Sequence, residues 1–185
     1  GAPINLTHLY TIKAMAYWRT GLEKEAFEYC AKSLPILISL PPQLYSMLIG
    51  ERLAAQITFE AWEQKKFLDV TGFRNETELK KTIATIMGLL KKFKGIFPFG
   101  EPPYLLYRGW QKWMNGKHEA ARKDWQACAE AARRLSMPRD EANALRELGR
   151  HSEGETRRKY LQDALEIFIA CHAKYDANET EKLLS

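Results

Sequence analysis

Cysteine is scarce in this chain, and the few cysteines lie far apart. Its 185 residues include three, with no CxxC pair: Cys30, Cys128 and Cys171. An odd number of widely spaced cysteines argues against a disulfide framework and favours a reducing compartment. We therefore expect a cytoplasmic protein.

Long apolar runs and a leader sequence are also missing. No stretch reaches the roughly 18–20 apolar residues of a transmembrane helix. The first ten residues, GAPINLTHLY, have neither the basic start nor the apolar block of a signal peptide. We expect no membrane span, and the absence of a starting Met predicts a fragment of a longer protein.

The residue patterns that carry common enzyme chemistry are absent too. There is no GxxxxGK[ST] loop, and GIFPFG does not have the spacing of a dinucleotide-binding loop. Cys171 and His172 are neighbours in sequence, but adjacent helical side chains point about 100° apart. The four histidines occur in separate segments without an HExxH pair: His8, His118, His151 and His172. We expect no enzyme activity, no catalytic residue, no metal and no cofactor.

Positive charge is in modest excess, at +5. One basic segment, LKKTIATIMGLLKKFKGIF, is amphipathic, and its apolar face fits a helix packed into a core; membrane contact and a partner groove are the alternatives. A second basic feature comprises Arg133, Arg134, Arg139 and residues 157–159. Without a stacking platform or a known reader motif, it is weak support for nucleic-acid binding.

What the chain does contain is an internal sequence repeat. YWRTGLEKEAFEYC (17–30) and KWMNGKHEAARKDW (112–125) follow one template. The matched pairs, each 95 residues apart, are Trp18 with Trp113, Gly21 with Gly116, and Ala26 with Ala121. A partial third copy follows 43 residues later, where Ala121, Trp125 and Cys128 recur as Ala164, Phe168 and Cys171. Repetition on this scale is typical of stacked helical hairpins.

The chemistry of the repeated positions fits such hairpins. Gly21 and Gly116 can end a helix because glycine adopts a positive φ without a Cβ clash. Ala26 and Ala121 allow two helices to approach closely, so we expect both to be buried. By the same register, Cys128 and Cys171 should lie on the packed face.

Periodicity and capping residues predict about eight helices, with a short tail helix after them. Pro35 should kink or shorten the second helix, and Asn75 or Thr77 should cap the fourth. The predicted ranges are 5–20, 22–39, 43–68, 76–94, 102–115, 117–136, 138–149, 154–173 and, for the tail, 179–184.

The internal repeat resembles the tetratricopeptide repeat family. The matching residues are the Gly-x-x-x-x-Ala-x-x-x-aromatic core of GKHEAARKDW with Gly109 before it, then Tyr10, Ala14, Tyr17, Gly21 and Ala26, and finally YLQDALEIFIAC. The family period is about 34 residues, whereas one spacing here is 43. The resemblance implies an all-α, right-handed α-solenoid: one domain over 1–185, with antiparallel hairpins near 5–39, 43–96, 102–136 and 138–173 and a tail at 174–185.

A narrower resemblance concerns the order of three segments. LKKFKGIFPFGEPPYLLYRGWQKWMNGKHEAARKDW, AARRLSMPRDEANALRELGRH and YLQDALEIF together look like the C-terminal helical region of multidomain signalling ATPases, including those of nucleotide-cyclase type. This resemblance implies a regulatory or partner-binding arm of a larger signalling protein.

The aromatic segment YLLYRGWQKW is the candidate partner-binding site. Four rings on one helix exceed what one buried stripe holds, and in the resembled family the first helices of the hairpins line a groove for a partner peptide. The candidate residues are Trp110, Trp113, Tyr107, Arg108, Lys112 and, in the first copy, Trp18. The alternative is that all the rings belong to the core.

The leading functional hypothesis is a protein–protein interaction module, or regulatory scaffold, of a larger signalling protein. Its partner would be a protein, a peptide or another domain of the same parent protein. Two alternatives stay open: a basic helical repeat that binds nucleic acid, and a purely architectural domain that forms a homodimer.

Overall fold

The computed structural model describes residues 3–41 and 45–185, and every regular element in these ranges is helical, which confirms the all-α prediction. A 3₁₀ turn, Pro98–Gly100, separates the fourth and fifth α-helices. The α-helices are α1 (Pro3–Arg19), α2 (Glu23–Ser39), α3 (Tyr45–Glu63), α4 (Glu76–Lys94), α5 (Glu101–Met114), α6 (His118–Arg134), α7 (Pro138–Arg150), α8 (Gly154–Ala170) and α9 (Lys174–Leu184).

The helices group into two compact units, Gly1–Gly100 and Glu101–Ser185. In the first unit, α1 packs against α2 and α3, and α3 packs against α4. In the second unit, each helix packs against the next one in the chain, and α5 also contacts α7. Hairpins therefore build each unit, while their assembly into one solenoid domain over 1–185 stays a prediction.

Glycine and asparagine set helix ends as the sequence predicts. Gly21 and Gly116 have φ of 78° and 74°, and each follows the end of a helix. The next residue, Leu22 or Lys117, donates its backbone N–H to the helix that is ending. The Asn75 side chain caps α4 by accepting a 3.0 Å hydrogen bond from the backbone N–H of Glu78.

Two predicted helix bounds are wrong. The third helix ends at Glu63 rather than 68, because Lys65 has a φ of 53° and the chain turns there; its predicted start at 43 lies outside the described residues. Pro35 lies within α2 without shortening it, and the helix ends at Ser39, where the predicted range ends. The tail helix begins at Lys174 because Asp176 is buried and accepts a 2.8 Å hydrogen bond from Arg139.

Small residues lie where helices cross, as predicted. Ala26 and Ala121 have no exposed surface. At Gly109 a Cβ atom would lie 2.4 Å from Nε1 of Trp125, so only glycine allows this ring to rest on the α5 backbone. The Trp125 indole then donates a 3.1 Å hydrogen bond to the Leu106 carbonyl. Close approach and hydrogen bonding together fix α6 on α5.

Helix α4 buries its apolar stripe, which supports the core interpretation of the amphipathic segment. The buried residues are Leu79, Thr82, Ile83, Ile86, Met87, Leu90 and Phe93. Gly88 lies on the opposite, exposed face, and a Cβ atom there would meet no atom of residues 3–41 or 45–185 within 4 Å. Packing among these residues therefore does not require glycine at position 88.

The three cysteines differ in burial. Cys30 and Cys128 are fully buried, and burial raises the pKa of the Cys30 thiol to about 12. The Cys128 thiol lies 3.1 Å from the Pro102 carbonyl. Cys171 is only half-buried, so its predicted place on the packed face is wrong. The reason is that α8 ends at Ala170 and Cys171 caps it.

One buried carboxylate, Glu51 of α3, lacks full hydrogen bonding. It is 2% exposed, and one of its oxygens has no hydrogen-bond partner among the described residues. Burial raises its pKa to about 7, and the charge of Lys92 offsets part of that rise. The ionised form is therefore disfavoured in the folded state.

The two glycines, Gly109 and Gly88, should respond oppositely to alanine. Gly88→Ala should raise the free energy of unfolding by about 0.5–1 kcal/mol, because alanine has the higher helix propensity and nothing opposes its methyl group. Gly109→Ala should lower it by roughly 1–3 kcal/mol, because the methyl group displaces Trp125. Urea denaturation of both variants measures the difference, and equal effects would contradict the packing described.

Glu51→Gln should remove a pH-dependent loss of stability. The folded-state pKa near 7 lies above the ordinary value of 4.5, so the wild-type protein loses stability as pH rises through this window. The advantage of the glutamine variant should grow by on the order of 2–3 kcal/mol between about pH 5 and about pH 8. Denaturation curves at both pH values measure it, and a constant difference would show that Glu51 ionises normally.

Candidate functional site

Helix α5 presents two cations above one buried carboxylate. Asp124 of α6 has 7% of its side chain exposed, whereas Arg108 and Lys112 are about a third exposed, at 33% and 30%. Arg108 donates from Nε and Nη2 to the two Asp124 oxygens at 2.7 and 2.6 Å. Lys112 Nζ lies 2.7 Å from Asp124 Oδ2. The cluster thus has one positive charge in excess, on its outer side.

The electrostatics of Asp124 follow from these contacts. Burial alone would raise its pKa, but the hydrogen bonds and charges of Arg108 and Lys112 outweigh burial and hold the pKa below its ordinary value. Asp124 therefore stays ionised at neutral pH and orients both cations. Tyr104 lies one turn before Arg108, whose guanidinium carbon is 5.2 Å from the Tyr104 ring centroid. We name Tyr104, Arg108 and Lys112 the α5 face.

Trp110 is buried inside the second unit rather than exposed on its surface. Its side chain is 8% exposed, and its indole N–H donates to Glu147 of α7. Glu147 is 2% exposed and also accepts a 3.0 Å hydrogen bond from Arg150 Nη1. Tyr107, also buried, packs edge-on against Trp110 with ring centroids 6.1 Å apart. These two predicted site residues thus contribute to the packing of α5 against α7.

Trp113 is half-buried in a stack of rings. Its centroid lies 4.0 Å from that of His118 and 3.8 Å from that of His151, with interplanar angles of 28° and 27°. The Arg122 guanidinium lies 5.4 Å from the same ring, and its Nη2 donates to the His151 carbonyl at 3.0 Å. The stack connects the start of α6 with the end of α7 through one tryptophan.

Trp18, the corresponding residue of the first unit, is also buried, at 9% exposed. Its indole N–H donates to Glu60 of α3, and Lys66 Nζ lies 5.2 Å from its ring. Tryptophan bound to a glutamate of a later helix is therefore a feature of both units. In the second unit Trp110 makes this contact, not Trp113, the residue 95 positions after Trp18.

The predicted site residues of α5 thus divide into three groups. Arg108 and Lys112 lie together on Asp124, Tyr107 packs against Trp110 where Trp110 meets Glu147, and Trp113 belongs to the ring stack. Asp124 and Glu147 were not predicted as site residues. Asp124 lies 16 residues from Arg108 and Glu147 lies 37 from Trp110, so only the fold shows either contact.

The chemistry that these clusters offer is the binding of charged and apolar groups. Arginine and lysine beside aromatic rings recognise carboxylates and apolar groups. In the described ranges, no group of three or more His, Cys, Asp or Glu side chains could hold a metal ion, and no helix is long and apolar enough to cross a membrane.

Comparisons with known protein-family models, with curated proteins and with solved structures yield no match to this chain. Its own residues are therefore what indicates its function, and the tetratricopeptide resemblance stays a prediction.

Proposed function

We propose that this chain is a protein-interaction module of a larger regulatory protein, and that the α5 face binds a partner segment containing acidic and apolar residues. The observation that carries the proposal is the arrangement of Arg108 and Lys112 above Asp124. The buried carboxylate holds both cations in fixed positions, and neither cation is fully neutralised. Tyr104, half-exposed beside them, adds an apolar surface.

Two features of the α5 face favour a peptide over a small ion. Tyr104, Arg108 and Lys112 are spaced by four residues, so they form a row of roughly 12 Å along the helix. An extended segment with a carboxylate near each cation and an apolar side chain on the ring would match this row. Preordered cations also lose little side-chain entropy on binding, which raises affinity.

Candidate residues Trp110 and Tyr107 enter the proposal in a supporting role, whereas Trp18 belongs to the first unit and has no part in it. Trp110 holds α7 through Glu147 and thereby keeps α5 in place. Trp113 has a partly exposed ring, so it could extend the apolar contact beyond Lys112. Binding by the tryptophans themselves is a separate hypothesis, and substitution of Trp113 alone addresses it.

The α5 face can be tested with fluorescein-labelled peptides in which glutamate alternates with leucine or phenylalanine. Lys112→Gln should weaken binding roughly 3–10-fold, since a lost charge contact is worth about 1 kcal/mol. Arg108 still binds Asp124 in this variant, so the melting temperature should barely change. Fluorescence anisotropy gives the dissociation constants, and affinity should fall with added salt.

The matched control is Lys123→Gln, because Lys123 is an exposed lysine of α6 outside the α5 face. It removes the same charge and should leave binding within twofold, roughly the size of a general electrostatic effect. A second control replaces every glutamate of the peptide by glutamine. Equal losses from Lys112→Gln and Lys123→Gln, or tight binding of the neutral peptide, would contradict the proposed site.

Helix α1 supports a second candidate function, homotypic association. Leu9, Ile12 and Ala16 lie three or four positions apart and are exposed, the first two by 47% and 57%. They form one apolar stripe with Asn5 on its line. The α1 sequence contains no acidic residue, and the Lys13 ammonium is 5.3 Å from the Tyr29 ring of α2. An uncharged stripe of this kind can pair with its own copy without repulsion.

If α1 mediates a homodimer, the mass measured by light scattering should rise with concentration, and Ile12→Glu should abolish the rise. Ile169→Glu on α8 is the matched control, because Ile169 is also 57% exposed. It introduces the same charge at the same exposure and should leave the dimer intact. A constant monomer mass for the wild-type protein would eliminate this candidate.

A further inference from the structure

The exposed side of α4 combines two lysine pairs with a flat stretch between them. Lys80 and Lys81 lie near its start, Lys91 and Lys92 near its end, and all four are exposed. The second pair follows the first by eleven positions of α-helix, which corresponds to roughly 16 Å. The exposed residues between the pairs are small: Ala84, Thr85 and Gly88. We name this surface the lysine face.

The charge of the lysine face is largely unbalanced. Lys80 pairs with Glu76 at 2.6 Å, and the charge of Lys92 acts on the buried Glu51. Lys81 and Lys91, by contrast, form no ion pair with any residue that the structure describes. The first unit contains thirteen lysines and arginines against nine acidic residues. Lys81 and Lys91 therefore supply two of its four excess positive charges.

Helix electrostatics explain only part of this pattern. Lys91 and Lys92 lie in the last turn of α4, where cations complement the negative end of the helix dipole. Lys81 lies in the second turn, beyond the reach of the helix dipole, and no described carboxylate pairs with it. An anionic group outside the chain would account for its position.

Gly88 is the second, independent observation. A glycine in a helix interior costs about 0.5–1 kcal/mol relative to alanine. Gly50 and Gly109 make close contacts with Thr7 and Trp125 that account for their lack of a side chain. At Gly88 a Cβ atom would meet no atom of the part of the chain that the structure describes within 4 Å, and the backbone does not need a positive φ. A close approach by a partner backbone would account for the glycine.

We propose that the lysine face binds an acidic α-helix of a partner protein, which crosses α4 at Gly88 and places carboxylates at the two lysine pairs. A helix fits because the floor of small residues admits a second backbone at short interaxial distance. A membrane surface fits less well: Ile96, just beyond α4, is the large exposed apolar side chain nearby, and one such residue anchors weakly. Single-stranded nucleic acid would require exposed rings between the lysines.

The probe is a labelled alanine-rich helical peptide with a pair of glutamates near each end, eleven positions apart, and with small residues between the pairs. Gly88→Leu should abolish its binding, because the leucine side chain occupies the crossing point. Gly88→Ala, the matched variant, should retain most of it. Both substitutions raise helix propensity, so a loss caused by unfolding would be visible in the melting temperature and should not occur.

The charge requirement is tested with the double variant Lys81→Glu plus Lys91→Glu, which should weaken binding of the peptide by more than tenfold. Lys24→Glu, at an exposed position of α2, is the control for net charge. Lys112→Gln should leave this binding unchanged, so failure at the lysine face and failure at the α5 face can be distinguished. Duplex DNA and vesicles containing phosphatidylserine are tested in parallel.

Several results would overturn the proposal. They are an absence of binding to the acidic helix, binding that survives Gly88→Leu, and an equal loss from Lys24→Glu. Tighter binding of DNA or of the anionic vesicles than of the peptide would assign the face to a different class of partner. Binding that is lost in Gly88→Leu and in the charge reversal, but retained in Gly88→Ala and Lys24→Glu, is the expected result.

Discussion

The fold depends on how closely two helix backbones can approach within a hairpin. Where Trp125 rests on Gly109, a large ring fills the space that a missing side chain leaves. Gly149 and Leu161 repeat this contact in the next hairpin, where a Cβ atom would lie 2.7 Å from the leucine Cγ. Because each contact fixes the distance and rotation of its pair, the remaining apolar side chains have one arrangement in which they pack without voids.

Buried carboxylates are the second organising element, and they depend on that packing. Asp124, Glu147 and Asp176 each lie below one or more arginines or beside an indole N–H. A carboxylate in such a place is tolerated only when its hydrogen bonds are satisfied, which requires the helices around it to be fixed first. The result is a unit in which these three carboxylates lie inside and the arginines that pair with them lie further out.

Local sequence features predicted most of the helices, and long-range contacts account for most of what was missed. Gly21, Gly116 and Asn75 act on backbone within a few residues, so the sequence alone shows their effect. The end of the third helix was predicted wrongly because the apolar periodicity continues through Phe67. Periodicity of this kind does not reveal that Lys65 has a positive φ. Asp124 was missed because its partners lie on another helix, and because an isolated aspartate among lysines is typical of a solvated surface.

Tryptophan was the hardest residue type to place from sequence. The internal repeat pairs Trp18 with Trp113, yet the tryptophan that contacts a glutamate is Trp18 in the first unit and Trp110 in the second. Trp110 and Trp113 are three positions apart on α5 and reach different neighbours. The residue that matches Trp18 in sequence is therefore not the one that makes the same contact. The count of four rings on α5 predicted that they could not share one stripe, and they do occupy different environments.

The unequal burial of the cysteines gives the protein one accessible attachment point. Cys30 and Cys128 are buried, and Cys171, half-buried at the end of α8, is the most accessible of the three. A maleimide dye or a spin label should therefore attach at a single position without removal of any native cysteine. Under oxidising storage the same asymmetry limits covalent association to disulfide-linked pairs joined at the end of α8, and excludes longer polymers while the protein stays folded.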